Sequence, residues 1–352
     1  MKRPVVFSGI ASVATLGGLA GLVTLRRITS RARRITQLDE YADENFDLLY
    51  SDRATEVRAD DGVGLAVRQT GSPDAPLTLL FVHGFSNRMT SFHLQRTGLA
   101  DRWGSTVRMA FVDIRGHGRS GVPATASCTI EQLGRDVGAV VEAIAPHGRV
   151  VLIGHSMGGM AVLSAARQRP DLFRGRVAGV GILSSTAAGL AVSGLGRNLR
   201  NPLIGGFALA TRSTPKLVEH SRVAAKTLIW PILHAASFRT PVSPSLVAFT
   251  NAMIDQTPVA TIGSFLKALK LHDESATLPV LADVPALVLS GTGDMIVPFA
   301  GAAALAAELP LAEFVEVAGA GHMVHLEFPD LVNDAVERLV LRAADAGSRD
   351  VG

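Results

Sequence analysis

The chain of 352 residues carries one cysteine, Cys128. No disulfide can form within it, and a single thiol offers no metal-ligating cluster. Two Trp and two Tyr are too few for a surface that stacks bases, which argues against a nucleic-acid partner. Charged residues are sparse at 18%, and that excludes a disordered or coiled-coil protein. No Walker A pattern and no zinc-ligand spacing occurs. The expected cofactors are therefore none, and so are the expected metals. Cys128 stands in Ala126-Ser-Cys-Thr-Ile130 with no glycine-rich elbow around it and reads as structural.

What is present is apolar: 47% hydrophobic residues with Gly 35, ample for a buried core. The net charge of +3 comes from a local excess. Lys2, Arg3, Arg26, Arg27, Arg31, Arg33 and Arg34 all precede the body of the chain. Between them, residues 4–25 hold no charge, a run long enough to cross a bilayer as a helix. Gly18-Leu-Ala20 could serve as a signal-peptidase site. However, the flank that collects arginine is ordinarily the cytoplasmic one. The expectation is an uncleaved anchor over 1–35 with the catalytic domain in the cytoplasm, and export after signal cleavage is the alternative. Gly17-Gly-Leu-Ala-Gly21 contains a GxxxG spacing that chance explains as well as helix packing does.

Beyond an acidic stretch at 36–50, apolar strand-like runs occur at 55–58, 64–69, 77–82, 107–114, 149–153, 177–183, 286–289 and 313–317. Helical patterns fall at 91–103, 129–145, 157–168 and 328–344. Strands that read as continuous apolar runs between helices predict an α/β fold with a mostly parallel, doubly wound sheet. Asp60-Asp-Gly62 suits a hairpin between the first two strands. The alternation breaks over 190–283, where helical stretches such as 214–230 and 259–271 are punctuated by prolines. That segment reads as a helical cap inserted between core parts 36–189 and 284–345, since a structureless loop of that length is improbable.

The sharpest local signal is Val150-Val-Leu-Ile-Gly-His-Ser-Met-Gly-Gly159, in which an apolar strand runs into Gly154-x-Ser156-x-Gly158 and then a helix. A nucleophilic serine needs such a sharp turn, with small neighbours, to stand clear of the backbone. Serine is a weak nucleophile without a base, and the base needs an orienting carboxylate. Asp294 follows one strand in Gly291-Thr-Gly-Asp-Met-Ile-Val-Pro298, and His322 follows the last in Gly319-Ala-Gly-His-Met-Val-His-Leu-Glu327. Alone, Asp294 could be an ordinary helix cap and His322 an exposed loop residue. Their order and strand-end positions give the expected triad Ser156, Asp294 and His322, with His325 as the rival base. The expected oxyanion donors are the N–H groups of Phe85, in His83-Gly-Phe-Ser86, and Met157, at the start of the helix. Gly116-His-Gly-Arg-Ser-Gly121 matches GxGxxG, but Val122-Pro123 follows where a dinucleotide site needs a helix.

Together, His83-Gly-Phe85, Asp113-Ile-Arg-Gly-His-Gly-Arg-Ser120, Gly154-His-Ser-Met-Gly-Gly159, Gly291-Thr-Gly-Asp294 and Gly321-His322 resemble the α/β-hydrolase superfamily. The resemblance runs from about residue 55 to 344 and is weakest in the cap. It implies a structural role for Asp113 and Arg115 in a turn beside the site. The serine elbow sets the chain apart from epoxide hydrolases and haloalkane dehalogenases, which use an aspartate nucleophile. It is closer to the esterase, monoacylglycerol-lipase-like and carbon–carbon-bond hydrolase branches. The expected activity is cleavage of carboxylic esters of apolar, small-molecule acyl substrates, with Phe207, Phe238, Phe249, Phe265 and Trp230 as candidate cap aromatics. Those aromatics could equally fill the cap's own core. Carbon–carbon or thioester hydrolysis on the same triad is the alternative, and a non-catalytic ligand-binding member is a further one. Oligomeric state is not legible.

Overall fold

In a computed structural model, residues 39–349 are described apart from 105, 193, 203, 207–208, 210–233 and 235. Eight strands form one sheet: β1 (Arg53–Arg58), β2 (Gly64–Thr70), β3 (Leu77–Val82), β4 (Val107–Val112), β5 (Arg149–His155), β6 (Val177–Leu183), β7 (Ala286–Gly291) and β8 (Ala312–Val317). Their order across the sheet is β1-β2-β4-β3-β5-β6-β7-β8. β2 runs antiparallel to β1 and to β4, and all other neighbours are parallel. All eight expected strands form, with ends shifted by one or two residues. The β1–β2 turn closes through Gly62 N–H to Ala59 O (2.9 Å) and Ala59 N–H to Val63 O (2.8 Å), with Gly62 at φ +87°.

The reason for the continuous apolar runs is visible in where successive side chains go. Adjacent residues of a strand point to opposite faces, and here both faces are covered. Leu80 and Val82 of β3, Val150 and Leu152 of β5 and Val288 of β7 enter one core. Leu79 and Phe81, Val151 and Ile153, and Leu287 and Leu289 enter the other. Helices with both ends among the described residues are α1 (His93–Trp103), α2 (Ile130–Ile144), α3 (Met157–Gln168), α4 (Pro170–Gly175), α5 (Pro244–Gln256), α6 (Val259–Lys270), α7 (Phe299–Ala307), α8 (Val324–Glu327) and α9 (Pro329–Arg349). α2, α3 and α7 pack on the first core, and α1 and α9 on the second. Sequence patterning misses α7 because Phe299-Ala-Gly-Ala-Ala-Ala-Leu-Ala-Ala307 has no polar face to set a period.

Between β6 and β7 the described residues hold no strand of the sheet. They form short 3₁₀ turns at Leu190–Val192, Gly194–Arg200 and Ser275–Leu281, together with α5 and α6. The expected helix at 214–230, with Phe207 and Trp230, lies outside the described residues, as does the expected N-terminal anchor. Among the described residues no helix is long and apolar enough to cross a membrane.

Candidate active site

Ser156 joins β5 to α3 at φ +52°, ψ −118°. A side chain other than glycine rarely sits there, and holding it costs about 1–3 kcal/mol unless its surroundings impose the geometry. They do. A Cβ at Gly154 would meet Gly158 O and Gly159 N at 2.5 Å, and one at Gly158 would collide with Val82 O of the neighbouring strand. Glycine is thus required on both sides of the serine by close packing of β5, α3 and β3. Ser156 N–H donates to Leu183 O at 2.9 Å, and Ser185 Oγ donates to Ser156 O at 2.7 Å. Ser86 also has positive φ (+58°), yet no α-helix begins behind it, so it has no elbow.

Asp294 lies past β7 and His322 past β8, and His322 Nδ1–H donates to Asp294 Oδ2 at 2.8 Å. The other carboxylate oxygen accepts the N–H groups of Ile296 (2.9 Å) and Val297 (3.0 Å). Asp294 is therefore not the cap of α7, which begins after Pro298; its free oxygen is turned to the ring of His322. With Nδ1 donating, neutral His322 keeps a lone pair on Nε2. His325 falls in α8 and is fully buried against Phe92 and His155, at ring distances of 5.0 and 4.4 Å. Burial pushes its pKa down to about 3.

Two neutral histidines brace the loop after β3. His83 Nε2 accepts Ile114 N–H (2.9 Å) while Nδ1–H donates to Gly84 O (2.8 Å). His117 Nε2 accepts Ser86 N–H at 3.2 Å, and its Nδ1–H donates to Arg115 O at 3.1 Å. Burial lowers their pKa values to about 3 and about 4, so both remain neutral and keep the acceptor each loop amide needs. Phe85 sits inside this braced loop, and Met157 is the first residue of α3. The turn after β4 is structural, in line with the resemblance. Arg115, fully buried, pairs with Asp136 and Asp61, and Asp113 accepts Met89 N–H (2.7 Å) and Arg119 N–H (2.8 Å). The segment Gly116–Gly121 makes turns and no helix starts there.

Two residues that sequence reasoning passed over hold the His322 loop. His155 Nε2–H donates to His322 O at 2.9 Å, and burial keeps its pKa well below the usual histidine value. Glu327 accepts Gly321 N–H at 2.6 Å and, on its other oxygen, Arg239 N–H (3.0 Å) and Thr240. A half-buried carboxylate collecting backbone amides from 239–240 ties that segment to the loop. A glutamate closing the Gly321-His322 motif was the available signal, but its distant partners cannot be read from the chain.

Ser156 and His322 open on one cavity, walled by Phe85, Asn87, Leu190, Ile254, Leu269 and Met323 among others. The apolar side chains from the β6–β7 segment are aliphatic. Phe249 instead stacks on Phe46 at 4.3 Å, and Phe265 is fully buried beside His117. Both are packing residues, because their helices turn these faces toward the body of the molecule.

The model for the alpha/beta hydrolase family matches residues 79–335. The chain belongs to the alpha/beta hydrolase family. A 2-(acetamidomethylene)succinate hydrolase of Mesorhizobium japonicum is 36% identical over 129 residues, which is 36% of this hydrolase and only 43% of that protein. An sn-1-specific diacylglycerol lipase of Mus musculus is 27% identical over 75% of this chain and 81% of its own length. Among solved structures, a thermophilic esterase from Thermogutta terrifontis superposes with a TM-score of 0.65 at 24% identity, covering 83% of this chain and 99% of that one. The enol-lactonase from Burkholderia xenovorans LB400 gives 0.62 at 22% identity, over 82% and 100%. At those identities the structural likeness is one of fold.

Proposed function

We propose that this hydrolase cleaves carboxylic esters of apolar acyl groups with Ser156 as nucleophile. The observation that carries the reading is the His322–Asp294 hydrogen bond of 2.8 Å beside a cavity shared by His322 and Ser156. Ser156 Oγ attacks the ester carbonyl carbon while His322 Nε2 takes its proton. Asp294 holds the tautomer and stabilises the imidazolium. The N–H groups of Phe85 and Met157 receive the oxyanion. Collapse expels the alcohol with the proton from His322, and water then cleaves the acyl-enzyme by the same route. Leu190, Ile254, Leu269, Ile296, Val297 and Met323 favour an apolar acyl chain. The segment 190–283 acts in this reading as a cap that excludes water and selects substrate.

The test is labelling with a fluorophosphonate probe and turnover of p-nitrophenyl esters. Both should vanish in Ser156→Ala while the circular dichroism spectrum is kept. Labelling of another serine in the variant would refute the assignment.

We also propose that residues 4–25 anchor the enzyme with its catalytic domain on the cytoplasmic side, a reading supported by the basic flank at 26–34. Reporter fusions after Arg34 should behave as cytoplasmic. A mature N-terminus near Gly21 would favour export instead.

A further inference from the structure

A second cavity, of about 320 Å³, adjoins the one at Ser156, and its size falls at the lower end of ligand pockets. Its walls are the loop after β3, the turn after β4 and the link between α5 and α6, represented by Arg88, Arg119, Gly118, Gln256 and Pro258. Asn87 lines both cavities, and Met253 in one is the chain neighbour of Ile254 in the other. Asn87 is held in place by Nδ2–H donation to Met323 Sδ at 3.6 Å. The two spaces are thus neighbours that share Asn87 as a wall.

The chemistry of this cavity is cationic. Arg119 lies over Tyr50, with its guanidinium carbon 3.7 Å from the ring centre, and Arg88 stands 5.9 Å from the same centre. Arg88 is committed to Asp47 Oδ1 (3.1 Å), Thr90 and Gln256. Arg119 has no carboxylate partner among the described residues, and its side chain makes only the contact with Tyr50. Asp47 lines the space and pairs with Arg88, and the buried Asp113 carboxyl lies within electrostatic reach of both arginines, so the exposed guanidinium of Arg119 is the positive group left open to the cavity. Pro258 caps α6, and the amino end of that helix adds partial positive charge at the same wall. A guanidinium stacked on an aromatic ring is pre-oriented, with its planar N–H edge free for a carboxylate or phosphate.

We infer that this cavity is a subsite for an anionic group, a carboxylate or phosphate carried by the substrate on the part remote from the scissile bond. The inference rests on the proposed ester hydrolysis at Ser156 and narrows its substrate class to esters that are apolar next to the scissile bond and anionic at one distant end, on the acyl or the alcohol side. Arg119 supplies the main contact, and Arg88, buffered by Asp47, contributes charge.

The test compares matched pairs of substrates: p-nitrophenyl valerate with p-nitrophenyl hemiglutarate, and a 1-acylglycerol with its 3-phosphate. The first pair places the charge on the acyl side, the second on the alcohol side. The wild-type enzyme should favour the charged member of at least one pair about tenfold in kcat/KM, as expected for one charge-assisted contact. Arg119→Met keeps an apolar side chain over Tyr50 and should abolish that preference through KM, leaving the neutral ester within about twofold. Raising the salt should shrink the wild-type preference, since Arg119 is solvent-exposed. No preference in either pair, or a preference that survives in both Arg119→Met and Arg88→Met, overturns the subsite. Failure of the underlying reading is distinguishable, because the neutral esters would then not be turned over and fluorophosphonate would not label Ser156. In that case calorimetry with inorganic phosphate decides the subsite alone: binding weakened at least about fivefold in Arg119→Met supports it, and binding that is absent or unchanged overturns it.

Discussion

The sheet body and the segment between β6 and β7 meet the candidate site in different ways. The body contributes polar atoms at strand ends, each fixed by close packing or by hydrogen bonds to the backbone. Ser156 is locked by glycine packing, Asp294 by the amides of Ile296 and Val297, and the loop at Phe85 by His83 and His117. The segment contributes aliphatic walls from α5 and α6, and its backbone touches the site chiefly where Glu327 binds residues 239–240 and where Met323 N–H reaches Ser237 O at 2.9 Å. Rigid strand ends suit groups that must be held to a fraction of an ångström. Apolar helix faces suit a surface that selects by shape. Chemistry and selectivity should therefore be separable by mutation.

The largest effect that would break this division lies in the body. His322→Ala should lower kcat/KM for a p-nitrophenyl ester by about four powers of ten or more, on the order of losses for triad bases. His325→Ala removes a buried ring with no link to Asp294 and should act mainly on stability. Steady-state kinetics beside thermal melts separate the two. A greater catalytic loss in His325→Ala would move the base and dissolve the strand-end argument.

Next in size is the response to acid. His83, His117, His155 and His325 are buried and neutral, with folded pKa values pushed down by burial. A depressed folded pKa contributes stability that is complete above the unfolded value near 6.5 and is lost as pH falls toward the folded value. Asp113 opposes this: burial raises its pKa to about 6, so protonation favours the folded state as pH falls from about 6 to about 4. Between pH 7.5 and 5.5 His83, His117 and His325 should each cost on the order of 1 kcal/mol, His155 acts in the same direction, and Asp113 returns a similar amount for one of them, leaving a net loss. Urea midpoints at the two pH values measure it. Equal midpoints would mean that the neutral-histidine bracing of the strand-end loops is not what stabilises them.

Legibility in the sequence follows the same division. The strands could be read because both faces of a parallel sheet are buried, so Leu79, Leu80, Phe81 and Val82 are all apolar whichever core they enter. Ser156, Asp294 and His322 could be placed because each lies a few residues beyond such a run, and the hydrogen bond between the last two agrees with that placement. Interactions set by tertiary approach could not be read. Nothing local connects His155 to the carbonyl of His322, or Glu327 to Thr240. The direction of the aromatic side chains on α5 and α6 depends on how those helices dock, which periodicity alone leaves open.

The smallest expected effect concerns which residues of the segment reach the substrate. Ile254 and Leu269 line the cavity with Ser156, whereas Phe249 is sealed in a cluster with Leu94, Leu246 and Met253. Losing one methylene's worth of apolar contact changes discrimination by only about 1–3 kcal/mol. Leu269→Ala should therefore alter the ratio of kcat/KM for octanoate over acetate esters about fivefold to tenfold, with acetate turnover nearly constant, since acetate has no chain to contact that wall. Phe249→Ala should do the reverse. It removes a large side chain stacked at 4.3 Å on Phe46, a change that costs about 3–5 kcal/mol of stability in a well-packed cluster, and it leaves the ratio unmoved in the fraction that stays folded. The two variants are compared at a temperature well below both melting transitions, with active-site titration correcting for folded enzyme. If Phe249→Ala changes the ratio and Leu269→Ala does not, the selecting surface is aromatic and on the other side of α5, and the aliphatic cavity wall is packing.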